Sequence, residues 1–155
     1  MATSAHFKLY FFLTVTALYS PPTLASCLDI FSGAFIVFDW DDEVPKSALL
    51  SKYEKNSKFT SPRETYSSDY MGEKLKTPSG RTYLRVLFKD HEVLSYKYDY
   101  KLVINNKIEF NVYEIKPEKK QTLRCQLESA MVNNCAIDAS SGIQVEKKCG
   151  KSLEN

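Results

Sequence analysis

"YKYDYKLVINNKIEFNVYEI", Tyr96 to Ile115, alternates with a period of two. Tyr96, Tyr98, Tyr100, Leu102 and Ile104 share one side of an extended chain, while Lys97, Asp99 and Lys101 share the other. Side chains alternate across a strand but return every 3.6 residues on a helix, so this stretch predicts β structure. Asn105-Asn106 divides it. Asparagine tolerates the positive φ that a two-residue hairpin turn demands. Ile108, Phe110 and Val112 resume the alternation, and the phase then slips at Tyr113 and Ile115, as a β-bulge would make it.

The pattern extends both ways. Upstream, Thr82, Leu84, Val86 and Phe88 alternate with Tyr83, Arg85, Leu87 and Lys89, and Asp90-His91-Glu92 forms a polar turn. Downstream, Pro117-Glu118-Lys119-Lys120 makes the next turn, and Leu123, Cys125 and Leu127 point to one side. The expectation is a four-strand antiparallel meander over 82–128. A small-residue loop at 129–142 ends in Ser140-Ser141-Gly142 and leads to a last strand with Ile143, Val145 and Cys149 on one face.

Towards the N-terminus, Ile30 to Trp40 (IFSGAFIVFDW) reads as a strand buried on both faces. Asp41, Asp42 and Pro45 carry helix-start chemistry, and Leu49, Leu50 and Tyr53 fall at helical spacing. They predict a short helix over 45–55. Residues 56–80 are polar and without period, a long loop interrupted by a short strand around Thr65–Met71. The expected fold class is α+β, mostly β, with one short helix packed on a curved antiparallel sheet. That sheet is the meander with the N- and C-terminal strands added. A small β-barrel or β-sandwich is the alternative.

Lys8 precedes an apolar run, Leu9 to Tyr19, too short to span a bilayer as a helix, which needs roughly 20 residues. Ser20-Pro21-Pro22 follows, with modest residues at Thr23 and Ala25. This is the build of a secretory signal peptide, 1–25, cut after Ala25. One domain, 26–155, remains, and the protein is expected outside the cytoplasm. The leader holds one basic residue and no acid, so twenty bases face nineteen acids in the mature chain. That balance offers no electrostatic argument for a nucleic-acid partner or an anionic membrane.

Cys27, Cys125, Cys135 and Cys149 all follow the cut. In an oxidising compartment four thiols form two disulfides. Of the three pairings, Cys27–Cys125 with Cys135–Cys149 is preferred, because the second bridge closes a short terminal loop. Leu24-Ala25-Ser26-Cys27 also reads as a lipobox, and lipidation of Cys27 would tether the chain to a membrane and leave one thiol unpaired. No C-x-x-C pair or Cys/His cluster points to a metal, and no cofactor is implied.

Catalysis finds little material. His91 is the mature chain's one histidine, no G-x-S-x-G elbow occurs, and bridged cysteines are not nucleophiles. Asp39, Asp41, Asp42 and Glu43 around Trp40 lack the glycine of a calcium loop and read as helix capping. The Tyr96-Tyr98-Tyr100 stripe reads as core, with an exposed platform as its rival. Loop 56–80 is the binding candidate, for it offers Phe59, Arg63, Tyr66, Tyr70 and Met71, residue types that anchor interfaces. The functional expectation is a small secreted non-enzymatic binding protein, of effector, inhibitor or toxin-neutralising kind, with a protein partner. The alternatives are a bacterial lipoprotein anchored through Cys27 and a small RNase-like hydrolase using Arg85, His91 and a carboxylate.

"RVLFKDHEVLSYKYDY", Arg85 to Tyr100, resembles the strand–turn–strand near the C-terminal end of fungal guanyl-specific ribonucleases. The resemblance covers about sixteen residues and is mostly alternation. It places Arg85 at the family's catalytic arginine, but Tyr100 stands where the catalytic histidine would be. It therefore implies a ribonuclease-like fold without ribonuclease activity.

Overall fold

Asn105 and Asn106 adopt φ of 50° and 56°. The Lys107 N–H donates to the Ile104 carbonyl at 2.9 Å, closing the hairpin turn that the sequence predicts. The bulge is there too. Register shifts fall between Tyr113 and Lys116 and between Lys116 and Pro117, and Glu114 takes a φ of 53°. The computed structural model describes residues 34–68, 72–88, 94–117, 127–140 and 142–153.

These residues are mostly strand. In chain order they form β1 (Ala34–Phe38), β2 (Ala48–Glu54), β3 (Glu64–Ser68), β4 (Gly72–Lys76) and β5 (Thr82–Leu87). Then come β6 (Tyr98–Ile104), β7 (Ile108–Pro117), β8 (Leu127–Val132) and β9 (Cys135–Ser140). After β10 (Ile143–Glu146), a 3-10 turn at Lys147–Cys149 leads into the two-residue β11 (Lys151–Ser152). One sheet has the order β10-β1-β5-β4, and a larger one runs β3-β2-β6-β7-β8-β9 with β11 on β7. Among the described residues neither sheet closes into a barrel.

The expected helix over 45–55 is a strand. All seven residues of β2 pair with β6, from Ala48 opposite Ile104 to Glu54 opposite Tyr98. Leu50 is buried, Leu49 is exposed on the other parity, and Tyr53 lies buried on that same parity. The apolar spacing that looked helical is therefore a strand with apolar residues on both faces. Ladders on two sides override a local preference that is weak in any case. Among the described residues the 3-10 turn is the sole helical element.

The expected four-strand meander is also corrected. β5 leaves it, pairing with β1 and β4 in the smaller sheet. β6, β7 and β8 do run as a meander, and β9 continues it. Part of the stretch read as loop 129–142 is thus the β8–β9 hairpin. The sheet is not wholly antiparallel either, because β10 lies parallel to β1, with Phe35 opposite Ile143 and Val37 opposite Val145. The expected short strand near Thr65–Met71 is found as β3. β4 adds a second strand inside the polar loop.

Both sheets feed one core. Phe35, Val37, Leu84, Val86, Ile143 and Val145 come from the smaller sheet, and they join Leu50, Tyr100, Leu102, Ile104, Phe110 and Val112 of the larger. Each such side chain contributes about 1.5–3 kcal/mol by leaving water. Trp40, Phe88 and Leu94 seal the connections between strands. Gly72 is set by close approach. A Cβ there would stand 2.3 Å from Leu84 Cδ1 and 3.0 Å from Pro45 Cδ.

Candidate functional site

The 55–63 turn is built under strain. Asn56, Lys58 and Phe59 all have φ between 53° and 62°. Left-handed backbone costs roughly 1–2 kcal/mol for an ordinary residue, and most for a bulky one. Compensation is visible. The Asn56 N–H donates to Asp99 Oδ2 at 2.9 Å, Lys55 Nζ donates to the Ile115 carbonyl at 3.3 Å, and the Arg63 N–H donates to the Lys52 carbonyl at 2.7 Å. Asp99 is buried, and burial pushes its carboxyl above the ordinary aspartate value.

The strain places Phe59 over the outer face of the larger sheet. Its ring meets Tyr53 edge-on at 5.2 Å and Tyr113 at 6.4 Å. Lys101 Nζ lies 5.7 Å from the Phe59 ring and 3.3 Å from Glu109 Oε2. Glu109 Oε1 in turn accepts from Asn111 Nδ2 at 2.7 Å. An aromatic cluster thus continues into an ordered polar row.

Arg63 and Tyr66 go elsewhere. Arg63 pairs with Glu54 at 2.5 Å, and its guanidinium sits 5.5 Å from the Tyr98 ring. Tyr66 packs on the core and donates its hydroxyl to Glu64, which also takes Lys52 at 3.1 Å. The tyrosine hydrogen bond and then Lys52 hold the Glu64 carboxyl below its ordinary value. The structure therefore does not gather Phe59, Arg63 and Tyr66 into one patch. Tyr70 and Met71 lie outside the described residues, as do Cys27, Cys125 and His91.

A groove of about 520 Å³ opens beside Phe59 and Tyr113. Asn111 lines it, together with the Cys135–Cys149 disulfide, Asn134, Lys148 and Lys151. Asn133, which also lines the groove, acts as a latch. With φ of 50° in the β8–β9 turn, it receives the Asn111 N–H on Oδ1 at 3.0 Å. Its Nδ2 donates to the carbonyls of Glu109 at 3.0 Å and Cys149 at 2.6 Å. One side chain thereby bridges β7, the β8–β9 turn and the segment entering β11. Sequence reasoning passed over Asn133 and Asn111. The Asn133-Asn134 pair repeats the signal at Asn105-Asn106 and could have revealed the turn.

The remaining candidates make the following contacts. Asp39 receives two hydrogen bonds from Arg81, both 2.7 Å, and Arg81 also reaches Glu146 at 2.9 Å. The Arg81 hydrogen bonds hold the Asp39 carboxyl below its usual range. Lys147 pairs with Asp41 and with Asp42 at 2.9 Å, and its ammonium lies 5.4 Å from the Trp40 ring. The acidic knot therefore meets cations, where helix capping was expected. Tyr100 is fully buried, and its hydroxyl accepts from the Ser95 N–H at 2.7 Å. Arg85 sits on the exposed face of the other sheet, 3.9 Å from Glu73. The two residues singled out by the ribonuclease resemblance thus lie on different sheets.

Comparison of the chain with protein-family models, with curated proteins and with solved structures finds no match.

Proposed function

We propose that the chain is a small secreted binding protein that works by protein–protein contact and does no chemistry of its own. The observation that carries this reading is the placement of β3 and β4. They are consecutive in the chain, yet among the described residues β3 ends the larger sheet and β4 ends the smaller one. Loop 56–80, the sequence's binding candidate, supplies a terminal strand to both sheets. A terminal strand offers one row of backbone donors and acceptors to an incoming strand, and alternate side chains add specificity. Thr65 and Ser67 on β3 and Glu73 on β4 are exposed.

The Cys135–Cys149 bridge supports export, since such bonds persist in oxidising compartments. It also leaves Cys27 and Cys125 as the remaining pair, which favours a second bridge over lipidation of Cys27.

Photo-crosslinkers at Thr65, Ser67 and Lys76, and at Ala136 on the opposite terminal strand β9, test the reading in the protein's native extracellular fluid. One discrete adduct is expected from the β3 and β4 positions and none from Ala136. Equal labelling at all four sites, or adducts at Ala136 alone, would remove the edge as the contact surface. Intact mass should show Ser26 at the N-terminus with two bridges formed. A diacyl mass on Cys27 would overturn the free-secretion part.

A further inference from the structure

We propose that the groove between Phe59, Tyr113 and the Cys135–Cys149 bridge is a binding site for an acidic oligosaccharide bearing uronate groups. It lies on the outer face of the larger sheet and is independent of the β3–β4 contact reading.

Three features converge there. The first is a buried acceptor without a partner: Asn111 Oδ1 has no hydrogen bond, although its Nδ2 donates to Glu109. That donation fixes the amide's orientation, because a flipped amide would set its oxygen against the Glu109 carboxylate. A buried acceptor left unpaired costs about 1–3 kcal/mol, and a ligand hydroxyl would relieve it once the amide turns outward into the groove that Asn111 lines. The second is the aromatic wall. Phe59 is held at φ of 58° beside Tyr113, and strain of this kind is characteristically kept where a side chain must be presented to a ligand. Aromatic faces suit the C–H surface of a sugar ring. The third is the pair of cations in the lining, Lys148 and Lys151. Lys148 now pairs with Glu146, an exposed contact that a ligand carboxylate can replace.

The composition of the walls decides between a sugar and a peptide. Beyond the two rings and the disulfide, the lining is amides, lysines and a glycine, with no aliphatic side chain. A peptide anchor needs a desolvated apolar pocket. Hydroxyls, a carbohydrate face and a carboxylate need an acceptor, an aromatic ring and a cation, and these are present.

The test is NMR titration of the secreted, oxidised protein with trigalacturonate and with a heparin tetrasaccharide. Maltotriose is the neutral control, and an acidic peptide with a free C-terminus is the rival ligand. At least one acidic sugar should shift the Asn111 side-chain amide and the Lys148 and Lys151 signals, with maltotriose at least tenfold weaker. Lys148→Gln with Lys151→Gln should weaken binding about tenfold, from two charge contacts of up to about 1 kcal/mol each. Asn111→Ala should weaken it by a similar factor while its backbone bonds to Asn133 stay in place. Phe59→Leu keeps an apolar contact to Tyr53 and tests the ring alone. Unchanged melting curves show that the variants are folded. Binding of neither acidic sugar, equal binding of maltotriose, or Asn111 shifts with the peptide alone would each overturn the proposal.

Discussion

Replacing Cys135 and Cys149 together with alanine removes one bridge and little else. The two residues are 14 apart in sequence, so the bond closes a loop of about 15 residues. Restricting a loop of that size in the unfolded chain stabilises the fold by about 3 kcal/mol. For a domain of this length, each kcal/mol lowers Tm by roughly 4 °C, so the double variant should melt about 12 °C lower. Urea unfolding of the two proteins, both outside reducing agent, measures the difference directly. The urea m-value should hold or rise slightly, because the uncrosslinked unfolded chain exposes more surface. A loss below about 1 kcal/mol would refute the argument, since the bridge would then be constraining nothing in the unfolded state. A fall in m would refute it differently, by showing that the folded state itself had loosened.

The other expectations test the fold and the latch. Leu50→Ala should cost about 2–5 kcal/mol and Leu49→Ala about 0.5 kcal/mol or less by urea unfolding, because one is buried and the other exposed on β2. Comparable losses would restore the helix, where both leucines share a face. Asn133→Ala should destabilise by about 2–3 kcal/mol, because its side chain holds three backbone groups that alanine leaves bare. Asn133→Gly tolerates the turn's φ but not those bonds, so a wild-type melting curve for it would refute the latch. Asp99→Asn should alter the pH dependence of stability. Burial raises the folded pKa above 3.8, so between the two values the folded state binds more protons than the unfolded chain. The contribution of Asp99 is therefore full below the unfolded pKa and is lost as pH rises through the folded one. Asparagine keeps an acceptor for the Asn56 N–H and lacks that decline, so parallel stability curves from pH 3 to 7 for the two proteins would count against it.

Several features that depend on near neighbours agree between sequence and structure. The Asn105-Asn106 turn, the bulge after Tyr113 and the alternation of β5, β6 and β7 each depend on neighbours within a few residues. So does the Cys135–Cys149 pairing, a matter of short loop closure. The misreadings share a different cause. In β2 the two faces are apolar for unrelated reasons, Leu50 because it enters the core and Tyr53 because Phe59 roofs it. β4 has no apolar period at all. Gly72 and Lys74 stand opposite Val86 and Leu84, and Lys74 sends its ammonium to the carbonyls of Asp41 and Asp42. The parallel register of β10 on β1 joins segments about a hundred residues apart, and no turn chemistry announces it.

The candidate groove was invisible for a related reason, which Asn105 and Asn133 make plain. Each is legible as a turn residue with positive φ, yet each also works at a distance. Asn105 Oδ1 receives the N–H groups of Lys46 and Ser47, pinning the segment before β2 to the β6–β7 turn. Asn133 holds Asn111 from both sides, accepting its N–H on Oδ1 and donating its own N–H to the Asn111 carbonyl at 2.8 Å. Once both backbone groups of Asn111 are engaged, its side-chain amide is left with Glu109 as its partner, at the margin of the groove the residue lines. Glu109 is an acceptor and satisfies the nitrogen, so the oxygen is left over as a matter of donor and acceptor counting. A turn made by local preference thus creates, through its tertiary bonds, the unpaired acceptor on which ligand recognition would rest.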